Sequence, residues 1–269
     1  MPCGSNSRLS AAWILCSAGL RLSKASTPDG EPSSAAARLN SVAWPPAARA
    51  AARTPPALPR GKGLPIAVQA AASILSIDRF DENAGQFRAT IDLRLRWSDS
   101  RLAADNVLGG APLEILRNSA AEERMKEIWT PPARIANQAG EADRSEYGLK
   151  IYPTGRAELL HRVTAEFDVD VDVQRFPFDR QKLAIEIAAD GLTTAEMLLR
   201  FDQSDIDFSR PSANAELSGW SIGLIDLKSV PQPGWYNGSH AHIIAALDIA
   251  RRPGLVVASV FLPLLAPLL

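Results

Sequence analysis

Ile91-Asp92-Leu93-Arg94-Leu95-Arg96-Trp97 alternates apolar and charged residues without a break. A period of two puts Ile91, Leu93, Leu95 and Trp97 on one face of an extended chain. It puts Asp92, Arg94 and Arg96 on the other, the pattern of a half-buried β-strand. The same period recurs where Phe167, Val169, Val171 and Val173 alternate with Asp168, Asp170, Asp172 and Gln174. It returns in Leu183, Ile185 and Ile187, in Trp220, Ile222 and Leu224, and in Ala245, Leu247 and Ile249. Turn formers separate the runs: Asn83-Ala84-Gly85, Gly109-Gly110, Pro153-Thr154-Gly155 and Pro231-Gln232-Pro233-Gly234. Many short strands without a long helical period predict an all-β fold, an antiparallel sandwich or barrel. One short helix is predicted at 119–128, where Ser119 and Glu122 fit a capping box.

The sequence on either side of this strand-rich body has a different texture. Residues 1–63 are rich in Ala, Pro, Ser and Arg, hold no sustained period, and read as a disordered leader. Within them the apolar run at 11–20 (AAWILCSAGL) reads either as a poor secretion signal or as residues upstream of the true start. Both cysteines, Cys3 and Cys16, lie in this leader, so no disulfide can hold the body, which must be stable through its core. A net charge of −1 with 22% charged residues gives no reason to expect nucleic acid as a partner. At the other end, 255–269 (LVVASVFLPLLAPLL) carries no charge and follows Arg251 and Arg252 directly. A spanning helix needs about 20 apolar residues, so the expectation is the start of a transmembrane helix, cut short. The domain boundaries expected are therefore 1–63, 64–254 and 255–269.

Four motifs in order point to one family. Trp97-Ser98-Asp99-Ser100-Arg101-Leu102 resembles the W-x-D-x-R-L that closes the second strand in the Cys-loop receptor superfamily of pentameric ligand-gated ion channels. Ile128-Trp129-Thr130-Pro131 followed by Asn137 is similar to its W-x-P…N segment, and Phe176-Pro177-Phe178-Asp179-Arg180-Gln181 to its F-P-F-D-x-Q loop. Arg251-Arg252-Pro253 leading into an apolar run with Pro263 resembles the passage into the first membrane helix. The resemblance covers about residues 64–269. It implies an immunoglobulin-like sandwich of about ten strands, a homopentamer in a cell membrane with the sandwich outside or in the periplasm, and agonist sites between identical subunits. Where eukaryotic members carry the two cysteines of the loop, spacing puts Val169 and Leu183, a departure that fits a prokaryotic branch.

The resemblance also assigns residues. Phe176, Pro177, Phe178 and Asp179 are expected at the membrane end of the sandwich, with Asp179 and Arg251 paired and joined by Glu82 or Asp81 of the first hairpin turn. For the agonist site, spacing puts Ala136 and Asp190 at positions that the family fills with aromatics. Asp92, Arg94 and Arg96 face them from the neighbouring subunit, and Trp235-Tyr236-Asn237-Gly238-Ser239-His240 forms the flap. Such a site is polar under an aromatic lid. It disfavours a quaternary ammonium and suits a small polar or zwitterionic ligand, with Arg94 facing a carboxylate and Asp190 an amine. Proton gating is the other option, and a merely solvated sheet face the third.

Trp97 and Trp129 are expected in packing, and Asp99 with Arg101 in a polar cluster. Asp168, Asp170 and Asp172, about 7 Å apart along one strand face, are expected to be a solvated acidic face rather than a Ca²⁺ site. His161, His240 and His242 lack metal-ligand spacing. No phosphate loop, nucleophile elbow or Cys/His pair appears in the body, so neither an enzyme nor a cofactor is expected. A stand-alone soluble ligand-binding sandwich is the alternative to a channel subunit. A carbohydrate-binding sandwich fits neither the F-P-F-D-x-Q loop nor Arg251-Arg252-Pro253.

Overall fold

A computed structural model describes residues 57–59, 63–103, 113–234, 238–254 and 257. The expectations made of the secretion signal and, Val257 apart, of the membrane helix fall outside these residues. Among the described residues no helix is long and apolar enough to cross a membrane. The chain runs through β1 (Ile66–Asp81), β2 (Gln86–Ala103), β3 (Glu114–Arg117), α1 (Ser119–Glu127), β4 (Ala133–Ile135), β5 (Gln138–Ile151) and β6 (Thr154–Asp168). It continues through β7 (Arg180–Ala189), β8 (Met197–Arg200), α2 (Gln203–Phe208), β9 (Trp220–Ser229), β10 (Gln232–Pro233), β11 (Ser239–His240) and β12 (His242–Arg251).

Two sheets form the sandwich. One has six strands in the order β3-β5-β6-β2-β1-β8, and the other four in the order β4-β7-β12-β9. β10 and β11 make a separate two-residue ladder. The pairing is antiparallel with one exception: β8 lies parallel to β1, Ile66 opposite Met197. A period-two pattern reports which face is buried and carries no information on strand direction, so the parallel edge strand was not legible.

The alternation of β2 is fully realised, since Ile91, Leu93, Leu95 and Trp97 are all 2% exposed or less. They share one core with Leu183, Ile185 and Ile187 of β7 and with Ile243, Ala245, Leu247 and Ile249 of β12. At about 25 cal/mol per Å² of apolar surface removed from water, such a core is the main stabilising contribution in a body with no cysteine. The opposite face of β2 is not simply wet. Asp92 and Arg96 are buried as well, as is Ser73 of β1, because the segment after β8 folds back over them. Ser73 Oγ donates to Arg210 O (2.7 Å), and the Ser212 N–H to Ile74 O (2.8 Å).

Three sequence expectations need correction. The strand through Phe167 stops at Asp168, and Val173 is 55% exposed. The valines that continue the period therefore lie in the loop before β7, and only Asp168 of the three aspartates is in a strand. In β9, Trp220 is buried but Leu224 is 75% exposed, while Ile225 and Leu227 point inward. The cause is a bulge: Ile249 pairs with Ile222 and Leu247 with Ile225, leaving Gly223 and Leu224 together opposite Asp248. A Cβ on Gly223 would come within 2.8 Å of Asp248 O, so the bulge needs glycine. Finally, α1 begins one residue early for a capping box. Its N-cap is Asn118, at φ 48°, with no side-chain capping bond, and the Asn118 N–H donates to Tyr147 O (2.7 Å). Ser119 is already inside the helix.

Candidate functional site

The end of β12 brings three distant segments together on one side chain. Arg251 sends Nε to Asp179 Oδ1 (2.6 Å) and Nη2 to Asp179 Oδ2 (3.0 Å), a two-pronged fork. Its Nη1 donates to Glu82 Oε1 (3.1 Å), and Nη2 also reaches Glu82 Oε2. Glu82 stands in the turn between β1 and β2, and Asp179 in the loop before β7. The guanidinium lies 4.2 Å from the centre of the Trp220 ring and 5.1 Å from that of Phe176, so cation–π attraction adds to the ion pairs. Asp179 is 1% exposed and Arg251 9%, which places the fork out of bulk water.

Local structure fixes each member. The Arg251 N–H donates to Asp179 O (3.1 Å), tying the two backbones as well as the side chains. Gln181 Nε2 donates to Asp179 Oδ2 (2.8 Å) and to Asp172 O (2.7 Å), so it aims the carboxylate and staples the loop. Hydrogen bonding from Arg251, and then from Gln181, holds the Asp179 carboxyl below the usual carboxylate range despite burial. The Arg251 guanidinium is correspondingly raised. Asp81 is not part of the cluster: its Oδ1 accepts from the N–H groups of Asn83 and Ala84 in its own turn. Phe176 and Phe178 flank the cis Pro177 and are 54% and 69% exposed.

The residues carried over for a ligand fall into two groups. Asp190 and His240 lie at one end of the four-stranded sheet, while Ala136 stands beside Glu186, four residues back along β7. The Ala136 N–H donates to Glu186 O (2.7 Å), the Asp190 N–H to Pro132 O (2.7 Å), and His240 Nδ1 bonds Leu192 O (2.8 Å). Asp190 sits 3.8 Å from Arg134. Trp235 and Tyr236 lie outside the described residues. Asp92 and Arg94 belong to the other sheet and do not meet the first group within one chain.

Both of those β2 residues already have partners. Arg162 Nε and Nη2 fork onto Asp92 at 2.8 and 2.9 Å. Arg94 Nη2 donates to Asp205 Oδ1 (2.9 Å) and Ser204 O (2.7 Å), with its guanidinium 4.1 Å above the Phe208 ring. Arg96 reaches Asp205 (2.7 Å) and Asp202 (2.9 Å). The two aspartates close a capping box that starts α2, so the helix is built around the charges it neutralises.

The motif Trp97-Ser98-Asp99-Ser100-Arg101-Leu102 supports the scaffold. Trp97 meets Trp129 edge to face, ring centres 6.3 Å apart, in the core. Arg101 Nε donates to Asp99 Oδ1 (2.9 Å), and the Arg101 N–H to the same oxygen (3.0 Å). Burial pushes the Asp99 carboxyl up, but the bonds from Arg101 outweigh it and the net shift is downward. No group of metal-ligating side chains is present among the described residues.

Comparison with known proteins decides the family. A family model described as the neurotransmitter-gated ion-channel ligand binding domain matches residues 52–253. The chain belongs to this family. It is 27% identical over 158 residues to the proton-gated ion channel of Gloeobacter violaceus, covering 59% of this chain and 41% of that one. It is 22% identical over 210 residues to the gamma-aminobutyric acid receptor subunit theta of Mus musculus, covering 76% of this chain and 31% of that one. The rho-2 subunit of Rattus norvegicus is 24% identical over 186 residues, covering 66% and 38%. The chain thus spans less than half the length of each.

Sequence reading of this ligand-binding domain missed four contributors. Trp220 stands directly opposite Arg251 across β9 and β12, a pairing set by the bulge register. Phe80 packs edge-on against Trp220, ring centres 5.5 Å apart, and supports it from the other sheet. Asp202 and Asp205 carried a readable signal, an aspartate pair three residues apart, but nothing in the sequence tied them to Arg94 and Arg96.

Proposed function

We propose that this ligand-binding domain is the sensing part of a membrane channel subunit that assembles as a homopentamer. The observation that carries the proposal is the Glu82–Arg251–Asp179 cluster. It locks the first hairpin turn, the F-P-F-D loop and the last residue of β12 to one guanidinium, just before the chain runs into its apolar segment. Asp179 and Arg251 adjoin paired strands of the four-stranded sheet, so a shift of one sheet against the other displaces Glu82 relative to both, and Arg251 passes the displacement to the segment that follows. Exposed Phe176 and Phe178 offer apolar contact on the same loop.

The agonist site of this proposal lies between chains. Ala136, Asp190 and His240, with Trp235 and Tyr236 of the flap, supply one side, and Asp92 and Arg94 of the neighbouring copy supply the other. The separation of the two groups on different sheets supports an inter-chain site. The ligand is a small polar molecule or the proton itself.

The test is electrical. Residues 1–254 are fused to the pore-forming part of the Gloeobacter violaceus channel, and currents are recorded on stepping the pH down and on adding amino acids. Activation by either stimulus, lost in Asp179→Ala at unchanged surface expression, is expected. A fusion that reaches the surface, opens to both stimuli and is indifferent to Asp179→Ala contradicts the coupling role.

A further inference from the structure

A second arginine cluster lies on the outer face of the six-stranded sheet, toward the end of β2 far from Glu82. There a cleft of about 440 Å³ is lined by Gln69, Arg96, Ser98, Arg156, Arg200 and Asp202, among others. Register places Arg200 of β8 and Arg96 of β2 on either side of Gln69 of β1. Arg156 of β6 stands opposite Ser98. With strands about 4.8 Å apart, Arg200 and Arg96 are two strand spacings from each other, within reach of one small ligand lying over Gln69.

The charges do not balance. Asp202 is the sole carboxylate in the lining, and both its oxygens are in use. Oδ1 accepts from Arg96 Nη2 (2.9 Å) and the Asp205 N–H (3.1 Å), while Oδ2 accepts from Gln69 Nε2 (2.9 Å). Arg96, 5% exposed, spends Nη2 on Asp202 and Asp205 and keeps a buried Nε with no acceptor. Among the described residues no carboxylate pairs with Arg156 or Arg200. Arg156 has only the Tyr152 ring, 5.6 Å away. Among the described residues, two guanidiniums without a paired carboxylate thus share a cleft with a third whose donors are incompletely satisfied. Like charges repel at this range, and the planar forks suit carboxylate and phosphate oxygens.

We propose that this cleft binds a small organic dianion, a dicarboxylate or a phosphate ester, between Arg156 and Arg200 with Arg96 at its floor. This moves anion recognition away from Arg94, whose donors go to α2. The cleft is complete within one chain, so the proposal does not rest on assembly or on the inter-chain agonist site.

Calorimetric titration of the full 269-residue chain with succinate and, separately, phenyl phosphate tests it. Saturable binding of at least one probe at one per chain is expected, weakened by added salt, and the preferred probe tells carboxylate from phosphate. Arg156→Ala and Arg200→Ala should each weaken binding about tenfold or more, since bonds to charged groups are worth about 1.5–3 kcal/mol. Arg117→Ala, on β3, should leave it unchanged. Arg156 and Arg200 are exposed, so their variants fold, as circular dichroism would verify. No saturable heat from either probe, or equal losses in Arg117→Ala, overturns the proposal. Arginine-dependent self-association without probe binding also overturns it, assigning the cleft to a second copy of the chain.

Discussion

Arg251 and Asp179 face each other as a closed fork, 2.6 and 3.0 Å, on a carboxylate that is 1% exposed. Asp179→Ala removes the fork and leaves Arg251 with Glu82 as its remaining carboxylate among the described residues. It is therefore expected to cost about 1.5–3 kcal/mol of folding stability, read as a lower urea midpoint for the isolated chain. Asp81→Ala, which removes only a turn-capping carboxylate, should shift the midpoint far less.

The same fork sets an acid limit. The folded-state pKa of Asp179 lies below its ordinary value of 3.8. Its contribution is thus fully present above about pH 4 and is lost as the pH falls through the depressed folded value. Asp99 behaves alike beside Arg101. Stability measured from pH 5 down to pH 2 should drop steeply at the acid end, and less steeply in Asp179→Asn.

His161 predicts a loss in a different window. Burial lowers its pKa from 6.5 to about 4 while its ring stacks on Tyr147, centres 4.3 Å apart. The unfolded chain takes up this proton from about pH 6.5 downward and the folded chain does not, so stability falls between pH 6.5 and about 4 and then levels off. At 1.36 kcal/mol per pKa unit the full loss is at most about 3 kcal/mol. His161→Gln should flatten that decline, and the His161 ring signal should titrate near pH 4 in NMR.

The bulge in β9 separates two neighbours that alternation would have reversed. Leu224→Ser should change stability by about 0.5 kcal/mol or less, as for other exposed sites. Ile225→Ala should cost about 2–4 kcal/mol through the cavity it leaves. Equal costs in thermal melts would contradict the bulge register.

The strands were legible where one face is purely apolar, as in β2, β7 and β12, because burial imposes a strict period of two. The bulge was not, since an inserted residue leaves each half of the strand looking regular, and Gly223 alone does not announce it. The F-P-F-D loop and Arg251 were legible as motifs. Their contact was implied by kinship rather than by pattern, because 72 residues separate the partners. The packing of α2 was hidden for a similar reason: the charged face of β2 reads the same whether water or a helix covers it. Asp205, fully buried under Arg94 and Arg96, is the residue on which that difference turns.

That helix gives a further expectation. Asp205→Ala strips both Arg94 and Arg96 of a shared carboxylate, whereas Arg94→Ala removes one donor. Amide exchange over 203–212 should accelerate more in Asp205→Ala than in Arg94→Ala. Equal exchange in both variants would mean that α2 is held by something other than this cluster.

The coupling role of the cluster is tested most directly by a double-mutant cycle in the fused channel. The concentration or pH of half-activation is measured for the parent, Asp179→Ala, Arg251→Ala and the double variant, each normalised to surface expression. If the fork transmits gating, either single substitution costs nearly as much as both together, so the cycle shows a coupling of about tenfold or more. Additive shifts, or half-activation unchanged in all four, would contradict it.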